Sequence, residues 1–467
     1  MRGFMISKTA VVIMAAGAGT RFKSKKSKLL HNIAGKPVIR YFSEMMRHLK
    51  PEQTIFVLSH QKDDVIKAIG EENGFSFVEQ RTLDGTAGAV RAAMTVLKSG
   101  ITKIVVLPGD TPSIPESLVK ELVFQDASVV LVGTTLDDPK SYGRIKTDEE
   151  GNVVEIIEET DLKAGDKDIK LVNASIYAFN RNFLEKTLSD INKNKKKNEF
   201  YLTDVIALAS GSGVEVKCID HSNPFEVLGA NDRSSFSKVG LKMWKERAEK
   251  FTNNGVTIID TGKVYLDEGI KIGKDVEIYP NVFITGESEI AEDVVILEGC
   301  RIQNSKIGKK SIIGPYVFID GAEIGEENKI GPFTYVRPGT NTSKKVKIGG
   351  FVETKKITVG EGSKIPHLSY VGDATIGKNV NVGCGVITCN YDGFNKYRTE
   401  IGDNVFIGSD SQLIAPVKLN DDSYVGAGTT VTDDVPKGAL AISRVDQRNI
   451  KDYVYKIRNK KSKKQEK

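Results

Sequence analysis

Two constellations in the 467-residue chain have the makings of chemistry. The first is Met14-Ala15-Ala16-Gly17-Ala18-Gly19-Thr20-Arg21, with Lys28 a little further on. Backbone N–H groups bared by such a turn can close on a phosphate, glycine tolerates the dihedrals required, and Arg21 and Lys28 supply positive charge. A tight strand-to-helix connection under a solvated basic loop explains the same residues equally well. No Gly-Lys-Ser/Thr closes the turn, and it is not a full Gly-x-Gly-x-x-Gly, so neither standard phosphate motif applies. The second constellation surrounds His367, one of five histidines, in Pro366-His367-Leu368-Ser369-Tyr370. A lone histidine is more often structural. Here Arg337, Lys355, Tyr370 and Asn390-Tyr391 share the same stretch, which favours a functional reading, since imidazole ordinarily titrates near neutrality.

Two further polar groups stand at the ends of or inside apolar runs. Val105-Val106-Leu107 leads into Pro108-Gly109-Asp110-Thr111-Pro112. An acid there either holds a hard cation that bridges phosphates or caps a turn. Asn173 interrupts the apolar run Leu171–Phe179 and is either hydrogen-bonded in the core or turned toward a ligand.

The elements that must position these groups change character at Gly255. From Thr9 to about Ala230, strand-like runs (Gln53–Ser59, Phe75–Glu79, Lys103–Leu107, Ser128–Gly133, Val172–Phe179) alternate with helix-like segments (Val38–Leu49, Lys62–Glu72, Ala87–Lys98, Pro115–Phe124). This predicts an α/β domain with a mainly parallel sheet, whose ligand sits beyond the carboxyl ends of the strands. Tyr142-Gly143-Arg144 and Ile157-Glu158-Glu159 flank an expected hairpin, and Lys193–Lys197 is an expected exposed loop. Asn231-Asp232-Arg233 opens a helix over Ser235–Thr252 that ends at Asn253-Asn254-Gly255.

Beyond it an aliphatic residue recurs every six positions: Ile272, Ile278, Ile284, Ile290, Ile296 and Ile302, then Ile307, Ile313 and Ile319 after a slip of one, and on to Ile407, Leu413, Leu419, Val425 and Val431. That period is the hexapeptide signature of a parallel β-helix, which needs capped ends and favours association. Two segments break the pattern, Arg337–Val346 and Cys384–Glu400. The expected layout is an α/β domain over 1–230, a linker helix over 231–254, a β-helix over 255–450 and a basic tail over 451–467.

Composition excludes several classes. Net charge is +6, and the segment Lys451–Lys467, with eight basic and two acidic residues, carries all of it. The balanced remainder argues against nucleic-acid binding, which needs a basic folded face. Val11–Ala16 is too short to cross a bilayer, so neither a leader peptide nor membrane insertion is expected. Four cysteines, Cys218, Cys300, Cys384 and Cys389, make no disulfide framework and lack zinc spacing, which suits a reducing cytoplasm.

From Thr9 to Arg448 the chain resembles the bacterial bifunctional family that joins N-acetylglucosamine-1-phosphate uridylyltransferase to glucosamine-1-phosphate N-acetyltransferase. The first half carries Ala-Ala-Gly-Ala-Gly-Thr-Arg with Lys28, Gly-Asp-Thr-Pro at 109–112, Tyr-Gly-Arg-Ile at 142–145, Phe-Tyr-Leu-Thr-Asp at 200–204 and Gly-Ala-Asn-Asp-Arg at 229–233. The second half carries Arg-Pro-Gly at 337–339, Phe-Val-Glu-Thr-Lys-Lys at 351–356, His-Leu-Ser-Tyr-Val-Gly-Asp at 367–373, Thr-Cys-Asn-Tyr-Asp-Gly at 388–393 and Ala-Ile-Ser-Arg-Val at 441–445.

The resemblance implies a Rossmann-like nucleotidyltransferase domain joined by a long helix to a left-handed β-helix, acting as a cytoplasmic homotrimer. It implies Mg²⁺ as cofactor, with UTP and acetyl-CoA as co-substrates. Met14, Ala15, Ala16 and Gly17, with Gln80, Gly85 and Thr86, would line the nucleotide, and Arg21 and Lys28 would face its phosphates. Pro108, Gly109, Gly143, Glu158 and Asn173 would hold the acetylated sugar, with Asp110 and Asn231 on it and on the metal. Arg337, Lys355, Tyr370 and Asn381 would bind glucosamine-1-phosphate. Cys384, Asn390, Tyr391, Ser409, Ala427 and Arg444 would contact acetyl-CoA, with His367 as catalytic base. The chain departs from the family at Ser27, where a proline usually precedes the lysine, at Arg81–Asp84, Ala87–Ala89 and Pro108 around the nucleotide, and at Cys384. Without the proline, the loop before Lys28 is expected to be held less firmly.

Overall fold

The computed structural model describes residues 6–17, 19–194 and 198–458. Ala18 of the first motif, Lys195–Lys197 of the expected loop and the tail from 459 onward lie outside the described residues. Contacts divide the chain into two compact units, Met1–Glu246 and Arg247–Lys467.

In the first unit seven strands form the main sheet in the order Val216–Asp220, Val129–Thr135, Leu171–Asn180, Lys103–Pro108, Thr9–Met14, Gln53–Leu58, Phe75–Glu79. All run parallel except Leu171–Asn180, which is antiparallel to both neighbours. The hairpin Arg144–Thr147/Val153–Ile157 joins this odd strand through Val172 and Arg144.

The sheet is covered on both faces, which is why its strands read as unbroken apolar runs. Val11 and Ile13 pack with the helices Val38–Leu49 and Glu116–Phe124. Ala10 and Val12 pack on the opposite side with Thr86–Met94, Arg181–Asp190 and Asp204–Gly211. The helix Val38–Leu49 buries Ile39, Phe42, Met46 and Leu49, a spacing that lines one helical face.

The helix Arg233–Thr252 crosses the division between the units. Asp232 Oδ1 accepts from Ser235 N–H at 2.8 Å, satisfying a donor that the first turn leaves free. Gly255, at φ +92°, turns the chain out of the helix.

The second unit is a parallel β-helix. One ladder runs through Ile278, Ile296, Ile313, Ile330, Ile348 and Ile365, and continues through Val382, Ile407 and Val425. Equivalent residues of neighbouring coils lie three hexapeptides apart, so each coil has three sides. A slip of one residue in the repeat is a coil shortened by one, as between Ile296 and Ile313, Ile313 and Ile330, and Ile348 and Ile365. The inward aliphatics form one continuous core from Val256 to Val435.

The expected break at Arg337–Val346 is absent. Glu323 pairs with Asn341, and Asn341 and Thr342 pair with Thr358 and Val359, so the ladder passes straight through. Thr342 takes the aliphatic position, and its hydroxyl accepts from Gly325 N–H at 3.0 Å and Asn328 Nδ2 at 3.3 Å. A β-branched residue fits the strand, and these bonds satisfy its oxygen. The second break is an excursion. After Cys389 the chain leaves the coil, closes on itself through Tyr391 and Lys396, and rejoins at Thr399.

Among the described residues no helix is long and apolar enough to cross a membrane.

Candidate active sites

The first candidate site lies where strands Thr9–Met14 and Lys103–Pro108 end together, Met14 opposite Pro108. Their register sets the loop after Met14 beside the loop after Pro108, and Gly109 N–H donates to Met14 O at 2.9 Å. A cavity of about 550 Å³ opens here. Met14, Ala15, Ala16, Gly17, Arg21 and Lys28 line one part of it, and Gln80, Gly85 and Thr86 another. Pro108, Asp110, Gly143, Glu158, Asn173 and Asn231 complete the set expected from sequence. Gly109 is not in the lining; it packs behind the wall, against the end of the first strand. Glu199 and Tyr201 line the cavity as well; Tyr201 belongs to the Phe-Tyr-Leu-Thr-Asp motif and Glu199 precedes it, which was the available signal.

Charge is paired inside the cavity. Lys28 Nζ forms a salt bridge with Asp110 Oδ2 across 82 residues of sequence, and Arg21 donates to Asn231 Oδ1 at 3.1 Å. The Lys28 and Asp110 side chains are only 15% and 17% exposed. The loop before Lys28 is pinned rather than loose. Ser27 N–H donates to Gln61 Oε1 at 2.7 Å, and Gln61 Nε2 donates to Lys25 O at 2.9 Å. Ser27 supplies an N–H that proline lacks, so the segment is tied by hydrogen bonds where a proline would act through its ring.

Asn173 is both hydrogen-bonded and turned to the cavity. Its Nδ2 donates to the Tyr177 hydroxyl at 2.7 Å, its Oδ1 accepts from Ser175 N–H at 3.0 Å, and the strand register shifts just after it. Glu158 Oε1 accepts from Thr203 Oγ1 at 3.1 Å. Burial, then the charges of Glu158 and Asp161, push the Asp204 carboxyl up to about 6. Burial, then Glu158, pushes the Tyr201 phenol up to about 12.

The second candidate site is written along the coils. Each aliphatic of the ladder Ile365, Val382, Ile407, Val425 is followed two residues later by His367, Cys384, Ser409 and Ala427. These four therefore stand in one column, a strand spacing of about 4.8 Å apart. Backbone bonds tie successive members: Asp410 N–H to Cys384 O at 2.7 Å, and Gly428 N–H to Ser409 O at 2.8 Å. The Arg444 side chain reaches the column by donating to Ala427 O.

On another side of the same coils, Lys355 pairs with Gly372, and Glu353 with Tyr370. A Cβ on Gly372 would lie 2.5 Å from the Tyr370 hydroxyl and 2.9 Å from Asn390 Nδ2, so both side chains fold over this bare backbone. Asn390 Nδ2 donates to Asp373 Oδ2 at 2.5 Å, and the Tyr391 hydroxyl donates to Gly393 O. Asn381 lies on the first ladder, between Lys364 and Phe406.

Arg337 is bound to Glu353 at 2.7 Å. The Lys355 ammonium is held below the ordinary lysine range, first by its contact with Lys396 and then by the charges of Lys396 and Arg337. Two crowded ammonium groups make a place for an anion. Lys396 was missed in the sequence because it lies on the excursion, outside the repeat.

The chain matches the family model for nucleotidyl transferase over residues 10–244 and the bacterial transferase hexapeptide model (six repeats) over 398–433. The model of the GMPPB C-terminal domain matches 260–349. The bifunctional protein GlmU of Pelobacter propionicus is 38% identical over 97% of this chain and 99% of that one. The GlmU proteins of Carboxydothermus hydrogenoformans and Corynebacterium glutamicum are 40% and 39% identical, over 95% and 96% of this chain and 99% and 94% of theirs. The chain belongs to the bifunctional GlmU family. Membership spans both units, so the second unit is a transferase domain of hexapeptide type and not only a scaffold. Among solved structures, UDP-glucose pyrophosphorylase complexed with UDP-glucose matches at 18% identity and a TM-score of 0.41, over 51% of this chain and 99% of that one.

Proposed function

We propose that the chain makes UDP-N-acetylglucosamine in two steps at two sites, supplying a precursor for peptidoglycan and lipopolysaccharide. The acetyl group of acetyl-CoA first passes to glucosamine-1-phosphate, and the product then takes a uridylyl group from UTP. The observation that supports this reading is that the column His367–Cys384–Ser409–Ala427 and the Lys355–Lys396 pair occur on the same coils, which suits a base, an extended binding edge and an anion site.

In the acetyl transfer, Arg337, Lys355 and Lys396 hold the sugar phosphate, and Tyr370 and Asn381 orient the ring. His367 takes a proton as the amine nitrogen attacks the thioester carbonyl and the coenzyme A thiolate leaves. A positioned base contributes about 10²–10⁴-fold. Asn390, Tyr391, Ser409, Ala427 and Arg444 hold the coenzyme.

In the uridylyl transfer, a phosphate oxygen of N-acetylglucosamine-1-phosphate attacks the α-phosphorus of UTP, and pyrophosphate leaves. Two anions must meet, so charge neutralisation dominates. Gly143, Glu158 and Asn173 hold the sugar, while Lys28 and Arg21 turn to the phosphates. Nucleotide-sugar chemistry of this family generally needs a divalent metal, and Mg²⁺ fits the donor set. Asp110 and Asn231 offer hard oxygens in one cavity, the ligand type Mg²⁺ takes alongside water and substrate phosphate. Lys28 and Arg21, resting on those two oxygens, stand in for its charge. When bound, Mg²⁺ supplies Lewis acidity and a template.

The protein works as a cytoplasmic trimer in this reading. Tyr316, Phe333, Phe351 and Leu368, each about half exposed or more, form an apolar ladder on successive coils, a surface suited to burial between copies. The cysteines are free. The direct test supplies purified protein with glucosamine-1-phosphate, acetyl-CoA, UTP and Mg²⁺, and follows thiol and pyrophosphate separately. Release of both is expected; pyrophosphate-forming activity without thiol release would leave the β-helix non-catalytic.

A further inference from the structure

Gln80 lines the nucleotide cavity and is only 7% exposed. Its Nε2 donates twice, to Asp84 Oδ1 at 2.9 Å and to Gly85 O at 3.0 Å. A carboxylate and a backbone carbonyl only accept, so turning the amide over would set oxygen against oxygen at both contacts. Gln80 Oε1 therefore faces the other way, and it has no partner among the described residues. Gly85, whose peptide touches Gln80, also lines the cavity, and its N–H donates to nothing among the described residues. The wall at this point presents one acceptor and one donor.

Asp84 holds its place for three reasons. Its backbone is tied on both sides, N–H to Thr82 O at 2.9 Å and O to Phe200 N–H at 2.6 Å. Its carboxylate stands at the N-terminus of the helix Thr86–Met94, where negative charge is favoured. Residue 88 has no side chain: a Cβ on Gly88 would lie 1.8 Å from Asp84 Oδ1. Gly85 is required as well, since it sits at φ +104° with its Cβ position 2.3 Å from Phe200 O.

We propose that Asp84, in the space left by Gly88, is a positioning residue for base selectivity, holding the Gln80 amide so that its carbonyl oxygen and the Gly85 N–H together read the base edge. An acceptor beside a donor matches a ring N–H beside a keto oxygen, the edge of uracil. Cytosine presents the reverse, a ring acceptor beside an amino donor, and leaves both wall groups unpaired. A site built to pair polar groups discriminates strongly against a ligand that leaves them unpaired. The inference rests on the uridylyl-transfer reading of this cavity.

The experiment measures kcat/KM for UTP and for CTP in the uridylyl reaction, in the full chain and three variants. Asp84→Ala removes the acceptor that fixes the amide, and Gly88→Ala expels the carboxylate by a different route. Both should lower the UTP:CTP ratio about tenfold, the worth of one re-paired hydrogen bond. Asp84→Asn keeps an acceptor oxygen and should hold the ratio within about threefold of the unmodified chain. An unfolding transition of the first unit that matches the unmodified chain certifies folding in all three, since acetyl transfer at the other site reports only on the second unit. If the UTP:CTP ratio stays constant in Asp84→Ala and Gly88→Ala, even with both rates reduced, the positioning role is wrong. An unmodified chain that turns over neither nucleotide would instead overturn the uridylyl-transfer reading.

Discussion

The two candidate sites are built by opposite means. In the first unit, side chains from sequence positions as far apart as Arg21 and Asn231 converge on one cavity because parallel strands end together and their loops follow. In the second unit, His367, Cys384, Ser409 and Ala427 are set out one per coil by the register of the ladder. The first site depends on a few individual contacts, chiefly Lys28 with Asp110 and Arg21 with Asn231. The second depends on a repeat, so damage to any coil should be felt along the column. A local change ought to act sharply in the first unit and cooperatively in the second.

Lys28→Ala should have the largest effect. Removing the cation expected on the phosphates should lower kcat/KM for uridylyl transfer by about 10²–10³-fold, the scale of losing one preorganised electrostatic contact. Acetyl transfer by the same sample should stay at its unmodified rate. Equal loss of both activities would mean that the two sites are not separable.

Ile407→Ala tests the other side. Ile407 is fully buried between Val382 and Val425, two residues before Ser409. Its truncation should cost about 2–5 kcal/mol of the second unit's stability, read by denaturant unfolding, and should depress acetyl transfer. Uridylyl transfer should survive. Lys396→Ala comes next: loss of one of the two crowded ammonium groups should raise the KM for glucosamine-1-phosphate about tenfold with little change in kcat. A fall in kcat alone would place Lys396 off the anion site.

The smallest effect concerns Asp204. Its carboxyl is held up to about 6 in the folded chain, above the ordinary aspartate range, so between roughly pH 4 and 6 the folded state binds more protons than the unfolded state. Stability therefore falls as pH rises through that window, and the penalty is complete above it. Asp204→Asn should raise stability by about 1 kcal/mol at pH 8, a figure reduced for the partly solvated carboxyl, and by nothing below pH 4. A gain independent of pH would show that burial and the charges of Glu158 and Asp161 are not the cause.

The same contrast governs how far the sequence could be read. The β-helix was legible because inward aliphatics recur with a fixed period, and the helix Val38–Leu49 because its apolar face does likewise. Arg337–Val346 misled because Thr342 fills an aliphatic position and satisfies its hydroxyl through Gly325 and Asn328, bonds no local pattern announces. Lys396 escaped because it sits on an excursion from the coil. In the first unit, motif residues pointed to the cavity, but the bond from Ser27 to Gln61 and the fit of Asp84 against Gly88 are tertiary facts. Sequence spacing cannot reveal a contact whose partner is brought up by the fold.

The most direct test of two separable sites on one chain is His367→Ala, assayed on each half-reaction in the same preparation. Thiol release from acetyl-CoA with glucosamine-1-phosphate should fall by about 10²–10⁴-fold, while pyrophosphate release from UTP with N-acetylglucosamine-1-phosphate continues at the unmodified rate. Thiol release at the unmodified rate would contradict the role given to His367.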